Sequence, residues 1–340
     1  MRVHYRLASK VLSAVPAEAA WAESMGYDGV SSSETSHDPF LPLTLAATAT
    51  SRVSLETRVA IAFPRSPMVI AHTARDLQDL SEGRLRLGLG TQVKGHIERR
   101  FSAKWESPGP KLREYVESLR HIWDCWSGDG RLDFQGKFYQ FSLMSPFFNP
   151  GPSQYKDPEI YNGAINAYNC RVAGQVADGL MLHSLTSAEY VREVVKPSLE
   201  QGAREGGRDT SVAKLSGGGF IITGPNRSSI RAMEAGVRRQ ISFYASTRTY
   251  FPVLESHGFT EIGQRLHEMS LKGEWAEMAE LVSDEMLDAF CVRGEFDEIA
   301  DRFLERYGGL LDEVSFSPRT EEPIEEAQLR KIIRRFHDTP

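Results

Sequence analysis

Apolar and polar positions along this chain follow two alternating periods. Short runs of Val, Ile and Leu at strand spacing are each followed by a stretch with apolar positions three and four apart. Val3 to Ala8 predicts a first strand, and the Ala-rich stretch Ala14 to Met25, closed by Gly26, predicts the helix after it. Asp28 to Ser33, Val53 to Ala62 and the LRLGLG run that begins at Leu85 predict strands two to four. Helices are expected at Leu41 to Ser51, Met68 to Leu80 and Lys111 to Trp126. The spacing breaks after that point. LDFQGKFYQF (132–141) has a hairpin pattern around Gly136, and PFFNPGPSQYKDP (146–158) is a Pro-rich excursion.

Alternation resumes with strands expected at Glu159 to Ile165, Gly179 to Ser184 and Ala213 to Thr223, with helices reaching Val176 and spanning Ser187 to Arg204. Ser228 to Ala245 and Glu261 to Ala289 are helical in period and have no strand of their own. Glu295 to Tyr307, a strand at Glu313 to Ser317 and a helix from Pro323 to Phe336 complete the pattern. Eight strands, nearly all followed by a helix, imply parallel pairing with right-handed crossovers. The expected fold is a (β/α)₈ TIM barrel in one domain, 1–340, with excursions at about 128–158 and 247–292. A doubly wound open sheet is the competing architecture. It prefers a dinucleotide fingerprint after its first strand, and the only Gly-x-Gly after a strand, Gly88-Leu89-Gly90, lacks the third glycine.

Composition narrows the function classes. Among 340 residues the formal charge is −6, which offers no global basic field for nucleic acid or an anionic membrane. No apolar run approaches the ~20 residues of a bilayer span, and MRVHYRLASKVLS has no leader-like apolar core. Three dispersed cysteines, Cys125, Cys170 and Cys291, fit a reducing compartment. The expectation is a soluble cytoplasmic protein.

In a barrel the chemistry gathers where strands end. Those positions hold Glu34, Thr35, Ser36 and His37 after the second strand, and Thr57, Arg58 and Phe63 to Ser66 in or after the third. Thr91 and Gln92 follow the fourth, Gly163 to Asn166 the fifth, and His183 and Ser184 the sixth. Hydroxyls, amides and small residues outnumber carboxylates, which suits an organic cofactor carrying a phosphate better than a metal. There is no HExxH, no paired-Cys spacing and no G-x-S-x-G elbow. His72 and Asp76 share a helical face but need not mean more than that.

Several segments taken together resemble the bacterial luciferase-like superfamily, in its branch of coenzyme F420-dependent oxidoreductases. They are GYDGV (26–30), ETSHDPF (34–40), TSRVSLETRVAIAFPRSPMVIAHTARDLQDLSEGR (50–84), LGLGTQVKGHIERRF (87–101), VAGQVADGL (172–180) and WAEMAELVSDEMLDAF (275–290). The resemblance implies a barrel whose C-terminal mouth holds a deazaflavin or FMN. It places Arg58, Val59 and Ala60 at a bulge against the cofactor ring, where relatives often have a cis peptide. It places Thr91 and Gln92 beside the ring or its side chain. Gly163, Ala164, Ile165, Asn166 and Ala167 match a phosphate-holding turn at a helix start, completed by Ser184. Glu34, with Thr35 beside it, stands where relatives carry a residue facing the ring, and His37 is the second candidate for the proton donor. His96, Arg99 and Arg100 could reach the acidic tail of coenzyme F420.

Three functions remain open on this reading. The first is reduction of an activated C=C or C=N bond, in an enone, imine or dehydroamino acid of a small-molecule or modified-peptide substrate, by reduced F420, or the reverse reaction on an alcohol. The second is an FMN-dependent monooxygenase, and the third a non-catalytic flavin-binding barrel. A homodimer is expected from the likeness. The loops at 93–107, 142–158 and 245–292 would select the substrate.

Overall fold

The computed structural model describes residues 1–128, 130–211, 213–318 and 324–338. Eight parallel staves close into a barrel: β1 (Arg2–Arg6), β2 (Gly29–Ser32), β3 (Ser54–Thr57), β4 (Leu85–Gly90), β5 (Glu159–Ala164), β6 (Gly179–Leu182), β7 (Lys214–Gly217) and β8 (Glu313–Ser315). The third stave resumes at Ala60–Ile61, which pairs with Leu89 and Gly90. Closure comes from β1 pairing with β8 on one side, and from β3 and its continuation pairing with β4 on the other. The expected barrel is therefore present, with helices at Val15–Met25, Phe40–Ala49, Pro67–Leu80, Pro108–Trp126, Ala167–Val176 and Lys196–Glu205 packed outside it.

The staves are short because both faces are buried. Leu55, Leu87, Leu89, Ile160, Leu180 and Val314 are all fully buried and point outward to the helices. Some inward positions are charged instead. His4, Glu56, Arg86 and Glu313 meet inside the barrel, with His4 Nδ1 2.8 Å from Glu56 and Arg86 NH1 3.1 Å from Glu56 and 2.6 Å from Glu313. Such buried charges persist only when paired.

Three aspartates tie the N-terminal rim. The Asp28 carboxylate accepts the Val3 N–H (2.7 Å), while its own N–H donates to Val3 O (2.9 Å). Asp178 does the same with Ile160 (2.9 and 2.7 Å), and Asp312 with Leu215 (2.8 and 2.9 Å). The carbonyl of each accepts from the stave on the other side, at Ser54, Lys214 and Arg2 respectively. Arg84 adds a further tie, with its guanidinium on the carbonyls of Ala47, Thr50, Val53 and Ser81.

The structure departs from the expected pattern in four places. Val53 to Ala62 is not one strand, because the chain breaks from the ladder at Arg58–Val59, where the peptide is cis. Ala213 to Thr223 is two strands, since Gly218 and Gly219 at positive φ turn the chain out of the barrel. The second piece, Phe220–Gly224, pairs in parallel with a strand the pattern did not predict, Cys291–Glu295. Glu261 to Ala289 is three short helical pieces, Thr260–Lys272, Glu277–Leu281 and Asp284–Phe290, the first ended by Gly273 at φ +80°. The expected start of the last helix at Pro323 lies outside the described residues, and the helix is seen at Glu326–His337. No helix among the described residues is long and apolar enough to cross a membrane. All three cysteines are free and buried.

Candidate active site

The mouth at the C-terminal ends of the staves is lined by backbone on one side. Parallel pairing keeps Arg86, Gly88 and Gly90 of β4 on the inner face, level with Glu159, Tyr161 and Gly163 of β5. A β-carbon on Gly88 would collide with the backbone oxygen of Thr57, and its distance to the Met181 sulfur would be 2.7 Å. On Gly90 it would stand 2.6 Å from Val59 Cγ2, and on Gly163 3.2 Å from Val59 Cγ1. At Gly88 and Gly90 only glycine permits this close approach. Val59 thus lies directly over Gly90 and Gly163.

Arg58 also turns inward. Its NH1 donates to Ser216 Oγ on the opposite side of the barrel (2.9 Å) and lies 3.6 Å from Glu56. Burial opposes the charge on Glu56, but His4, Arg58 and Arg86 outweigh it and hold the carboxyl down to about 2. Ala60 is fully buried and in register with the outward Leu89, so its methyl faces the helices. His4, Glu56 and Glu313 bring metal-binding atom types within 4.8 Å of one another, yet the Arg86 guanidinium already bridges both carboxylates.

Glu34 is clamped. Its carboxylate accepts the Ile61 N–H (2.7 Å) and two contacts from Arg65 NH1 (2.8 and 3.0 Å). Arg65 NH2 continues to Asp38 (3.1 Å), which itself receives the N–H groups of Phe40 and Leu41 at the next helix start. Burial works against the charge on Arg65, and Glu34 and Asp38 more than restore it. This network links the end of β2 to the turn after the third stave. Thr35 and His37 are exposed on the rim, and Arg100 donates to the Thr35 carbonyl. His96 and Arg99 are exposed on the short helix Lys94–Arg99.

Thr91 and Gln92 form a tight turn, with Gln92 at φ +57°, its Oε1 accepting the Val93 N–H and its carbonyl accepting Thr91 Oγ1. Beyond β5, Asn166 caps the helix Ala167–Val176 through Oδ1 to Asn169 N (2.9 Å). Ala167 and Tyr168 then carry first-turn N–H groups with no partner inside the helix. Gly163 and Ala164 are half-buried, Ile165 is buried, and Ala167 and Ser184 are exposed.

Sequence reasoning collected Arg65 and His183 at strand ends without their partners, and did not single out Ser216 or Lys111. Arg65 is the partner of Glu34, and Ser216 the partner of Arg58. Lys111 Nζ sits 4.9 Å from the Phe63 ring centroid, and burial pulls its amine below the usual range. His183 is held between Tyr244 and Tyr250, with ring centroids 4.3 and 4.7 Å away. A signal for these existed only in part: Arg65 follows a predicted strand and His183 ends one, Ser216 lies inside one and Lys111 begins a predicted helix, but the partners lie far away along the chain.

Comparison with known proteins agrees with this architecture. The family model for luciferase-like monooxygenases matches residues 2–313. An uncharacterised protein of Mycobacterium tuberculosis is 44% identical over 299 residues, covering 88% of each chain. The 5,10-methylenetetrahydromethanopterin reductase of Archaeoglobus fulgidus is 25% identical over 305 residues, covering 87% of each. The solved coenzyme F420-dependent tetrahydromethanopterin reductase of Methanopyrus kandleri superposes with a TM-score of 0.78 at 20% identity, covering 98% of this chain and 97% of that one. Barrel, mouth and family match thus agree, and the chain belongs to the luciferase-like monooxygenase family.

Proposed function

We propose that the chain is an F420-dependent oxidoreductase that reduces an activated C=C or C=N bond of an organic substrate. The observation that carries this reading is the glycine floor of the mouth, Gly88, Gly90 and Gly163, with Val59 standing on it. A flat heteroaromatic ring needs a surface of backbone and small side chains on one face and open space on the other, and this wall supplies the first. The likeness to the Archaeoglobus reductase, which extends over most of both chains, supports reduction. A Mycobacterium tuberculosis protein named as a coenzyme F420-dependent oxidoreductase, 25% identical over 301 residues, supports a deazaflavin.

The residues present fit such a group. Val59 would back the ring, the first-turn N–H groups of Ala167 and Tyr168 would receive a phosphate, and Ser184 and Thr91 would flank it. When bound, coenzyme F420 supplies a hydride to the substrate. This chain's side chains do the rest. Glu34 and Arg65 hold the resumed stave just after Val59, and Arg58 keeps positive charge beneath the mouth. His37, exposed on the rim, stands free to act as the proton donor, whereas both oxygens of Glu34 are already accepting hydrogen bonds.

The test is a fluorescence titration of the purified protein with F420 and, separately, with FMN. Saturable binding of F420 at concentrations where FMN does not bind is the expected result. Preference for FMN would transfer the assignment to a monooxygenase, and binding of neither would overturn it.

A further inference from the structure

His183 directly follows β6, whose inward residues are Gly179 and Met181; a β-carbon on Gly179 would strike the Tyr161 ring, and the Met181 sulfur faces Gly88. The same alternation directs His183 to the axis, one step above Met181. Met181 is in register with Gly163, on which Val59 stands. His183 therefore continues the wall of the proposed cofactor site outward to the region a substrate would occupy.

Its surroundings are aromatic. Tyr244 ends the long helix Arg227–Ala245 and Tyr250 lies in the turn Arg248–Tyr250, both within the segment that leaves the barrel after β7. The Leu185 N–H donates to His183 Nδ1 at 3.0 Å, so the neutral ring carries its proton on Nε2 and presents it as a donor. Burial pushes this imidazole down to about 4, which keeps the ring neutral at ordinary pH.

We propose that His183 is a substrate-binding residue, its ring held in place by Tyr244 and Tyr250, donating its Nε2–H to a carbonyl oxygen of an uncharged, conjugated substrate. The class follows from the parts. Tyr244 and Tyr250 pack on the imidazole and fix its aim, an uncharged donor in apolar surroundings favours a neutral acceptor, and a carbonyl so engaged is drawn toward accepting electrons. The proposal takes its substrate class from the oxidoreductase reading above, although the contact itself does not depend on the cofactor.

The probe is 4-(dimethylamino)cinnamaldehyde, a planar unsaturated aldehyde whose absorption moves to the red when its carbonyl accepts a hydrogen bond. It is titrated into the wild-type protein, His183→Phe and His183→Asn, with F420 binding followed separately by fluorescence and folding by thermal melting. Wild-type protein is expected to bind the aldehyde with a red-shifted band. In His183→Phe the shift should vanish and affinity fall roughly three- to tenfold, the range of one hydrogen bond. His183→Asn, which keeps an N–H donor, should restore part of the shift. An unshifted band in the wild type, or the same shift in His183→Phe, overturns the proposal. So does loss of F420 binding in His183→Phe with the aldehyde band unmoved, because the imidazole would then belong to the cofactor. A His183-dependent shift in a protein that binds no F420 would uphold this contact and sink the proposed function.

Discussion

Glu34 and Arg65 form a half-buried ion pair at 2.8 Å, and the same carboxylate takes the Ile61 N–H. One side chain thus anchors both the resumed stave just after Val59 and the turn that follows it. Removing it with Glu34→Ala leaves the Ile61 N–H and Arg65 without this acceptor, which costs about 1–3 kcal/mol. Glu34→Gln keeps the acceptor without the charge and should lose less. Urea denaturation of both variants checks this, and equal midpoints for wild type and Glu34→Ala would show the clamp to be idle.

Two of the inward glycines, Gly88 and Gly163, should separate stability from binding. Gly88→Ala forces a methyl against the Thr57 backbone oxygen, which cannot step aside, and overpacking of this kind costs about 1–3 kcal/mol. Gly163→Ala is crowded by the Val59 side chain, 3.2 Å away, and otherwise makes ordinary contact with the Leu89 oxygen at 3.7 Å. It should melt nearly as the wild type does while weakening F420 binding roughly tenfold, equivalent to about 1.4 kcal/mol. Thermal melts and fluorescence titrations of the pair give the comparison.

Acid sensitivity should trace to Glu56. An unfolded glutamate titrates near 4.3, and in the barrel this carboxyl is held down to about 2. The unfolded chain therefore binds the extra proton first, so stability present above about pH 4 is lost as pH falls towards 2. The shift corresponds to at most about 3 kcal/mol. Urea midpoints measured from neutral pH downward should fall in that window for the wild type. Glu56→Gln should be less stable at neutral pH and show a flatter acid limb.

Asp178 offers a separate test of the N-terminal rim. It accepts from Ile160 N and pairs with Arg120 (2.8 Å) and Arg208 (3.1 Å). Asp178→Ala should cost about 2–4 kcal/mol, since it leaves a strand N–H unpaired and takes one acceptor from each of two guanidinium groups, which keep the carbonyls of Val176, Gly174 and Ala177. Asp178→Asn, which retains an acceptor for Ile160, should recover part of the loss in a denaturant titration.

The barrel was legible because its staves are buried on both faces and its helices on one, so the apolar period switches cleanly from Val3 to Val314. The paired strands Phe220–Gly224 and Cys291–Glu295 were not. One was continuous in pattern with β7, and the other followed a helical period without a turn residue to mark it. Likewise Val53 to Ala62 (VSLETRVAIA) reads by its pattern as one strand, and only the family resemblance pointed to the bulge and cis peptide found at Arg58–Val59. Site positions at strand ends could be collected from topology alone. Their partners could not, because Glu34 meets Arg65, Arg58 meets Ser216, and His183 meets Tyr250 only through tertiary folding. The tight turn of Gln92 and the inward aim of Arg58 also depend on neighbours that no local pattern records.

The reciprocal bonds of Asp28, Asp178 and Asp312 have a wider meaning for a fold of this kind. They hoop the barrel at one end, so the alignment of neighbouring staves is decided at the end away from the chemistry. The opposite end is then relieved of that duty. A segment as large as Phe220 to Glu295 can be carried there without shifting β7 against β8, and aromatic side chains can be delivered over the mouth from outside the barrel. A lineage built this way can exchange what it recognises by rewriting one rim, while the cofactor-facing wall keeps its geometry.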